Sequence, residues 1–376
     1  MKNLVKKTVA VALIIFLVSL TSCAYFRANI PIEYTELGVA SPSVNSEGEF
    51  AGIPWDLIVW DDKLFIGGGD YDTNAGPVDI WCYDIQKDVW INSGTVPDEE
   101  INRFVIMDDC LVSPGVDPKD DWSLGNFYYF ENGSWTTVRN IPGGIHCFDI
   151  VEYNDNIFVG LGVKSGNSPV AVSSDGGGTF TSVQMKKNGV TVNTSGSNTV
   201  RVYDLFIFQD TLYAAFLYGD TEKTYDLYRY NDGVFVFDNE WNNKIHQIKY
   251  NHYIIGGKAE FNGSMYFTTG YLYTTGDMAN FTRIAFPNDK TVYDIFTDKT
   301  SLYVLCGEKI KDGRYEVSVW ENDGGDATNF KKLFSFIYDV APLSMTYDNG
   351  TFFIGMGEYT SNNDKNGMIL RIDFSK

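Results

Sequence analysis

The sequence predicts an all-β ring: a seven-bladed β-propeller of four-stranded antiparallel blades, closed by an N-terminal strand that completes the last blade. Three observations carry this. A pair of apolar-alternating strands around a tight polar turn recurs seven times along the 376 residues. Aromatics make up 15% of the chain and Gly 36 residues, the mix expected of strands and tight turns. The last copy lacks its outer strand, while a spare strand-like segment precedes the first.

The copies begin at Trp55, Ile101, His146, Val202, Lys258, Val292 and Leu343. Their central turns read WDDK, MDDC, YNDN, FQDT, FNGS, TDKT and YDNG. Asp, Asn and Gly at these centres suit two-residue hairpins. The first apolar residue after each turn is Leu64, Leu111, Ile157, Leu212, Met265, Leu302 and Phe352, at spacings of 47, 46, 55, 53, 37 and 50. A period of about 40–50 residues with four strands per unit marks a propeller blade. The short fifth copy leaves six or eight blades open as alternatives. In the last copy only MILRIDFSK follows the strand pair, and Ile32-EYTELGV is placed to supply the missing strand. Closure of that kind hides both edges of the end blade.

Ahead of the ring, Lys2, Lys6 and Lys7 lead into a short apolar run from Val9 to Leu20, followed by Leu20-Thr21-Ser22-Cys23. This is the pattern of an export signal, and the run is short for a membrane span of about 20 residues. The LTSC string resembles the lipobox of bacterial lipoproteins. That resemblance implies acylation of Cys23, cleavage before it, and a lipid-anchored place in the cell envelope. With Ala24 after the Cys, the outer membrane is favoured in a cell that has one. The expected organisation is a signal peptide over 1–22, an acylated Cys and tether over 23–33, and the propeller over 34–376. The formal charge of −20 without a basic patch argues against nucleic acid as a partner.

The first copy resembles a kelch repeat, in Gly67-Gly68, Tyr83-Asp84, Trp90 and Val96-Pro97. The third resembles the Asp-box turn of sialidase-like propellers, in Ser173-Ser174-Asp175-Gly176-Gly177-Gly178-Thr179-Phe180. Both resemblances imply the fold and not a chemistry. The arginine triad of sialidases and the Tyr–Cys–His copper set of galactose oxidase have no evident counterpart. The reading is therefore of a non-enzyme, with a glycoside hydrolase-like activity as the alternative. Cys82, Cys110, Cys147 and Cys306 match no metal spacing and read as buried free thiols; a disulfide, if one forms, would join Cys110 and Cys147. Asp70, Asp72 and Asn74 alternate as calcium ligands do, but the loop lacks the Gly and Glu positions of an EF-hand, so calcium is only a weak expectation.

Loops between second and third strands are long in nearly every copy and share one face. Binding usually resides on such loops. The candidate ligand contacts there are Tyr71, Trp122, Lys164, Tyr218, Arg314, Tyr315 and Tyr359, joined by Arg201 at the start of the fourth copy's inner strand, placed to face the central channel. Aromatics rimmed by polar groups suit a glycan, a peptide or an envelope protein. A structural or assembly role in the envelope is the third expectation.

Overall fold

The computed structural model describes residues 32–39, 53–70, 73, 76–119, 121–195, 200–218, 225–237, 257–358 and 363–374. Among these the chain is a β-propeller built from four-stranded antiparallel blades. Five sheets stand alone with four strands each, and one sheet has ten. Within a blade, the first strand in sequence lies at the axis and later strands follow outward. The first blade thus runs Leu57–Trp60, Lys63–Ile66, Val78–Asp84 and Val89–Val96. The second runs Val105–Met107, Cys110–Pro114, Leu124–Glu131 and Ser134–Pro142.

The ten-stranded sheet differs from the expectation of separate blades. It contains the run Gly144–Tyr153, Asn156–Val163, Val170–Ser173 and Thr181–Ser182, and the run Val200–Phe208, Thr211–Tyr218, Tyr225–Asn231 and Val234–Phe237. One bridge, Gly162 to Arg201, joins the two runs. The hairpin Gln184–Lys187 and Val190–Thr191 adds to the outer edge, with Gln184 to Lys186 pairing in parallel with Val234 to Val236. That hairpin covers an edge that would otherwise offer unpaired backbone groups.

Two further four-stranded blades follow, with axial strands Lys258–Phe261 and Thr291–Thr297. The last blade runs Ala341–Asp348, Thr351–Gly357 and Met368–Asp373, and Thr35–Val39 is its outer strand. Thr35 pairs with Arg371 and Val39 with Met368, so the chain's two ends close the ring as the sequence suggests. Glu36 ties this closure down, accepting from Tyr338 at 2.9 Å and from Lys365 at 2.7 Å.

The turn chemistry explains why the strand pairs form where they do. Asp61–Asp62, Asp108–Asp109, Asn154–Asp155, Gln209–Asp210, Asn262–Gly263 and Asn349–Gly350 all take positive φ at both central residues. This is the type I′ geometry whose twist matches a hairpin. The TDKT turn departs from it, with positive φ only at Lys299. There Asp298 accepts from the amides of Thr300 and Ser301 instead.

The core lies between neighbouring blades. Leu57, Leu64, Ile66 and Tyr83 of the first blade meet Phe353 and Ile369 of the last. Trp90 packs edge-on against Tyr83 at 5.3 Å and donates its indole N–H to Leu37 O at 2.9 Å. Gly67 permits close approach of the second blade: a Cβ there would stand 2.6 Å from Ile101 O. At the Ser173–Phe180 turn, the Asp175 carboxylate accepts from Thr179 N and from Thr179 Oγ1, both at 2.8 Å.

Candidate functional site

Two polar regions stand out, one at the ring axis and one on the face of the long loops.

The axial region begins with a bulge. In several axial strands the register shifts beside one residue: Asp149, Asp204, Asp294 or Ser344. A bulge re-aims a side chain, and here it serves the junctions between blades. Asp56 accepts from Leu57 N at 2.9 Å and from Phe104 N in the next blade at 2.6 Å. Asp149 does the same with Ile150 N at 3.0 Å and Leu205 N at 2.7 Å. Asp294 repeats it with Ile295 N and Met345 N, both at 2.8 Å. Where the last blade meets the first, Ser344 Oγ donates to Pro54 O at 2.7 Å.

Two cations complete this belt. Arg103 Nη1 lies 2.7 Å from Asp149 and 3.1 Å from Asp204. Lys258 Nζ bonds Asp149 and lies 2.8 Å from Asp204. Burial alone would raise the Asp149 carboxyl; Arg103 and Lys258 overcome that and hold it below its ordinary value. Burial raises Asp56 to about 6, against the Phe104 amide and Arg103. Burial and the neighbouring Asp56 charge raise Asp294 to about 8. The belt bounds a cavity of about 550 Å³, which extends along the axial strands past Ile58, Val105, Val151, Ile207, Glu260 and Phe296.

The loop-face region gathers three of the sequence-predicted residues. Trp122 is 52% exposed. Lys164 Nζ stands 5.9 Å from its ring centre. Beside Trp122, Asp117 Oδ2 lies 3.3 Å from His146 Nδ1, which also contacts Val116 O at 2.8 Å. His146 stacks on Phe148 at 5.3 Å, and Phe148 meets Tyr203 at 4.4 Å. Arg201 closes the series, donating to Tyr203 Oη at 2.6 Å with its guanidinium 5.7 Å from both rings.

Carboxylates crowd beneath this surface. Asp98 accepts from Asp117 N at 2.6 Å and from Tyr128 Oη at 2.8 Å. Glu99 pairs with Lys119 at 3.1 Å, while Glu99 Oε2 and Asp117 Oδ1 are buried without a hydrogen-bond partner among the described residues. Burial raises Asp98 to about 7. Burial, then Glu99 and Asp98, raise Asp117 to about 7 as well. Burial, then the Arg201 charge, lowers His146 to about 4, so its ring is neutral near pH 7.

Other expected site residues fall elsewhere. Arg314 is held by Asp312 of its own loop, at 2.7 and 3.0 Å. Tyr315 is half-buried against a core cluster, 5.2 Å from Lys309, so it offers less surface than the sequence suggests. Tyr71, Asp72, Asn74, Tyr359 and the anchor Cys23 lie outside the described residues, as does the side chain of Tyr218. Asp70 is buried and accepts from Thr73 N at 3.2 Å. Among the described residues no cluster of three His, Cys, Asp or Glu side chains is arranged to hold a metal ion. The four described cysteines are free thiols, with Cys110 half-buried and the others buried. No Cys110–Cys147 disulfide forms.

Sequence reasoning missed the belt. Its signal is an aromatic–Asp–aliphatic triplet within three axial strands and at the entry to a fourth: Phe148-Asp149-Ile150, Tyr203-Asp204-Leu205 and Tyr293-Asp294-Ile295, and Trp55-Asp56-Leu57.

Fold and site together define a β-propeller. No family model matches the sequence, and no curated protein matches it. Among solved structures the chain is similar to the virginiamycin B lyase of Staphylococcus aureus, at 10% identity and a TM-score of 0.54, covering 92% of this chain and all of that one. It is also similar to a chain of the mitotic checkpoint complex, at 10% identity and a TM-score of 0.51, covering 92% of this chain and 95% of that one. At such identity these likenesses speak to the fold alone.

Proposed function

We propose that this chain is a lipid-anchored binding module of the cell envelope, a seven-bladed propeller whose long-loop face holds a glycan, peptide or envelope protein. The count of seven treats the ten-stranded sheet as two blades linked at Gly162 and Arg201. The anchor would be Cys23, and the LTSC string supports that reading.

The observation that carries the binding role is the exposed Trp122 ring with Lys164 and Asp117 beside it. An aromatic face beside polar groups stacks on the C–H face of a sugar while its hydroxyls find acceptors. A glycan is therefore the favoured ligand. The test is an array of glycans probed with the full chain in calcium-containing buffer. A specific hit lost on Trp122→Ala supports the proposal. A hit indifferent to Trp122→Ala overturns the placement, and a blank array moves the reading to a protein partner, sought by cross-linking on intact cells.

A second reading has its own observation. Asp56 and Asp294 both line the axial cavity and titrate near about 6 and about 8. Paired carboxyls of unequal acidity are what a glycoside hydrolase uses. Both already hold two backbone amides, which favours a structural duty. Turnover of chromogenic glycosides that is abolished by Asp294→Asn would establish the enzyme instead.

A further inference from the structure

The chain enters the ring in a fixed direction. In the last blade, Met368–Asp373 runs from the long-loop face toward the short-turn face, where Asp373 pairs with Thr351 beside the Asn349–Gly350 turn. Thr35–Val39 is antiparallel to it, with Thr35 opposite Arg371 and Val39 opposite Met368. The closing strand therefore starts on the short-turn side and ends on the long-loop side. Ile32, just ahead of it, already packs against the core of the last blade. The short-turn face is shared by both kinds of tight turn. In the first blade Ile85 N donates to Asp62 O at 3.1 Å, and Gln86 Nε2 donates to Asp62 Oδ2 at 2.7 Å. Trp122 stands on the opposite face, in the connection from Cys110–Pro114 to Leu124–Glu131.

Reach then decides which face a bilayer meets. Nine residues lead from Cys23 to Ile32. A stretch of that length spans at most about 30 Å. The eight-residue axial strand Ala341–Asp348 makes the last blade about 25 Å tall. To lay the long-loop face on a bilayer, the tether would have to double back over that height, which would consume nearly all its reach. Charge does not oppose the other arrangement. Asp61, Asp62, Asp108, Asp109, Asp155 and Asp210 are exposed on the short-turn face, and an anionic lipid surface would repel them. That repulsion fades within about 10 Å, well inside the reach of the tether.

We propose that the short-turn face is turned toward the bilayer that holds the anchor, standing off it on the tether, and that the Trp122 face points away from that bilayer. This arrangement rests on Cys23 being the lipid anchor proposed above. A ligand of the Trp122 face then arrives from the far side, and the lipid headgroups of the anchoring bilayer are out of its reach.

The test compares the height of two labels above a bilayer. The acylated protein, purified from membranes, is inserted from outside into preformed phosphatidylcholine vesicles whose headgroups carry an acceptor dye. A donor dye is placed at Gln86→Cys on the short-turn face or at Lys311→Cys on the long-loop face, both exposed positions, in a Cys110→Ser background. The blades that carry them flank the last one. The two labels differ in height by about 25 Å, so energy transfer to the bilayer should be about twofold or more greater from position 86 than from position 311. A second pair on the third blade, Ser174→Cys and Lys164→Cys, should rank the same way and serves if the first misfolds. Inserting about 20 Gly and Ser residues after Ala24 should erase the difference, because a long flexible tether no longer fixes the approach. Equal or reversed transfer in the folded, acylated chain would overturn the proposal, as would a difference that survives the insertion. Those outcomes leave the anchor standing. Absence of an acyl group on Cys23 by mass spectrometry, or a Cys23→Ser chain that stays on vesicles, would overturn the anchor and this arrangement with it.

Discussion

Charged side chains meet different fates at the axis and on the loop face. At the axis, Asp149 and Asp204 each touch two cations, and Asp56, Asp149 and Asp294 each hand a carboxylate to the backbone of the next blade. On the loop face, Glu99 and Asp117 each keep a buried oxygen without a partner among the described residues, and Trp122 keeps half its surface in water. A buried carboxylate with every oxygen engaged joins parts of a fold. A partly engaged one beside an exposed aromatic is left with capacity for something that arrives later. The difference separates scaffold from surface within one ring.

The largest expected effect acts on the scaffold. Removing residues 1–39 strips the outer strand from Met368–Asp373 and deletes the Leu37 acceptor of Trp90 and the Glu36 contacts. The truncated chain should lose much of a folding free energy that is about 5–15 kcal/mol for a typical domain. Its melting curve in circular dichroism should broaden or vanish. A truncation that melts like the full chain would mean the ring does not need this closure.

Gly67→Ala comes next. The new Cβ meets a backbone oxygen, Ile101 O, rather than a movable side chain. Urea denaturation should show a loss of about 1–3 kcal/mol, the usual cost of overpacking.

A subtler effect reads both regions at once. Unfolded aspartates titrate near about 4. In the folded chain Asp56, Asp98, Asp117 and Asp294 titrate at about 6, 7, 7 and 8. Between those limits the folded state holds more protons than the unfolded one, so stability falls as pH rises through the window. His146, at about 4, opposes this below its ordinary value of 6.5. The melting temperature should therefore decline from about pH 5 to about pH 8.5. Asp294→Asn should flatten the alkaline end of that slope, and Asp117→Asn its middle.

The fold was legible because its repeat is written in local chemistry. Asp61–Asp62 or Asn349–Gly350 can take the I′ turn without distant help, and Leu64 and Phe352 then fall on buried second strands. Trp122 was legible as an aromatic in a long polar loop. The axial belt was not. Its Asp triplets repeat in the axial strands, yet Tyr225-Asp226-Leu227 carries the same pattern in a third strand, away from the axis. The triplet alone does not set a radius. Arg103 and Lys258 break the pattern and find partners on other blades, across 101 and 109 residues. The Asp117–His146 contact was hidden for the same reason: it joins a loop of one blade to the axial strand of the next.

The most direct test of this division is urea unfolding of Arg103→Ala and Trp122→Ala beside the parent chain. Arg103→Ala leaves two buried carboxylates sharing Lys258, and the expected loss is about 3–5 kcal/mol. Trp122→Ala removes an exposed ring, and its unfolding free energy should stay within about 0.5 kcal/mol of the parent. Similar losses in both variants, or a larger one for Trp122→Ala, would contradict the account that the axis holds the ring together and the loop face is free to bind.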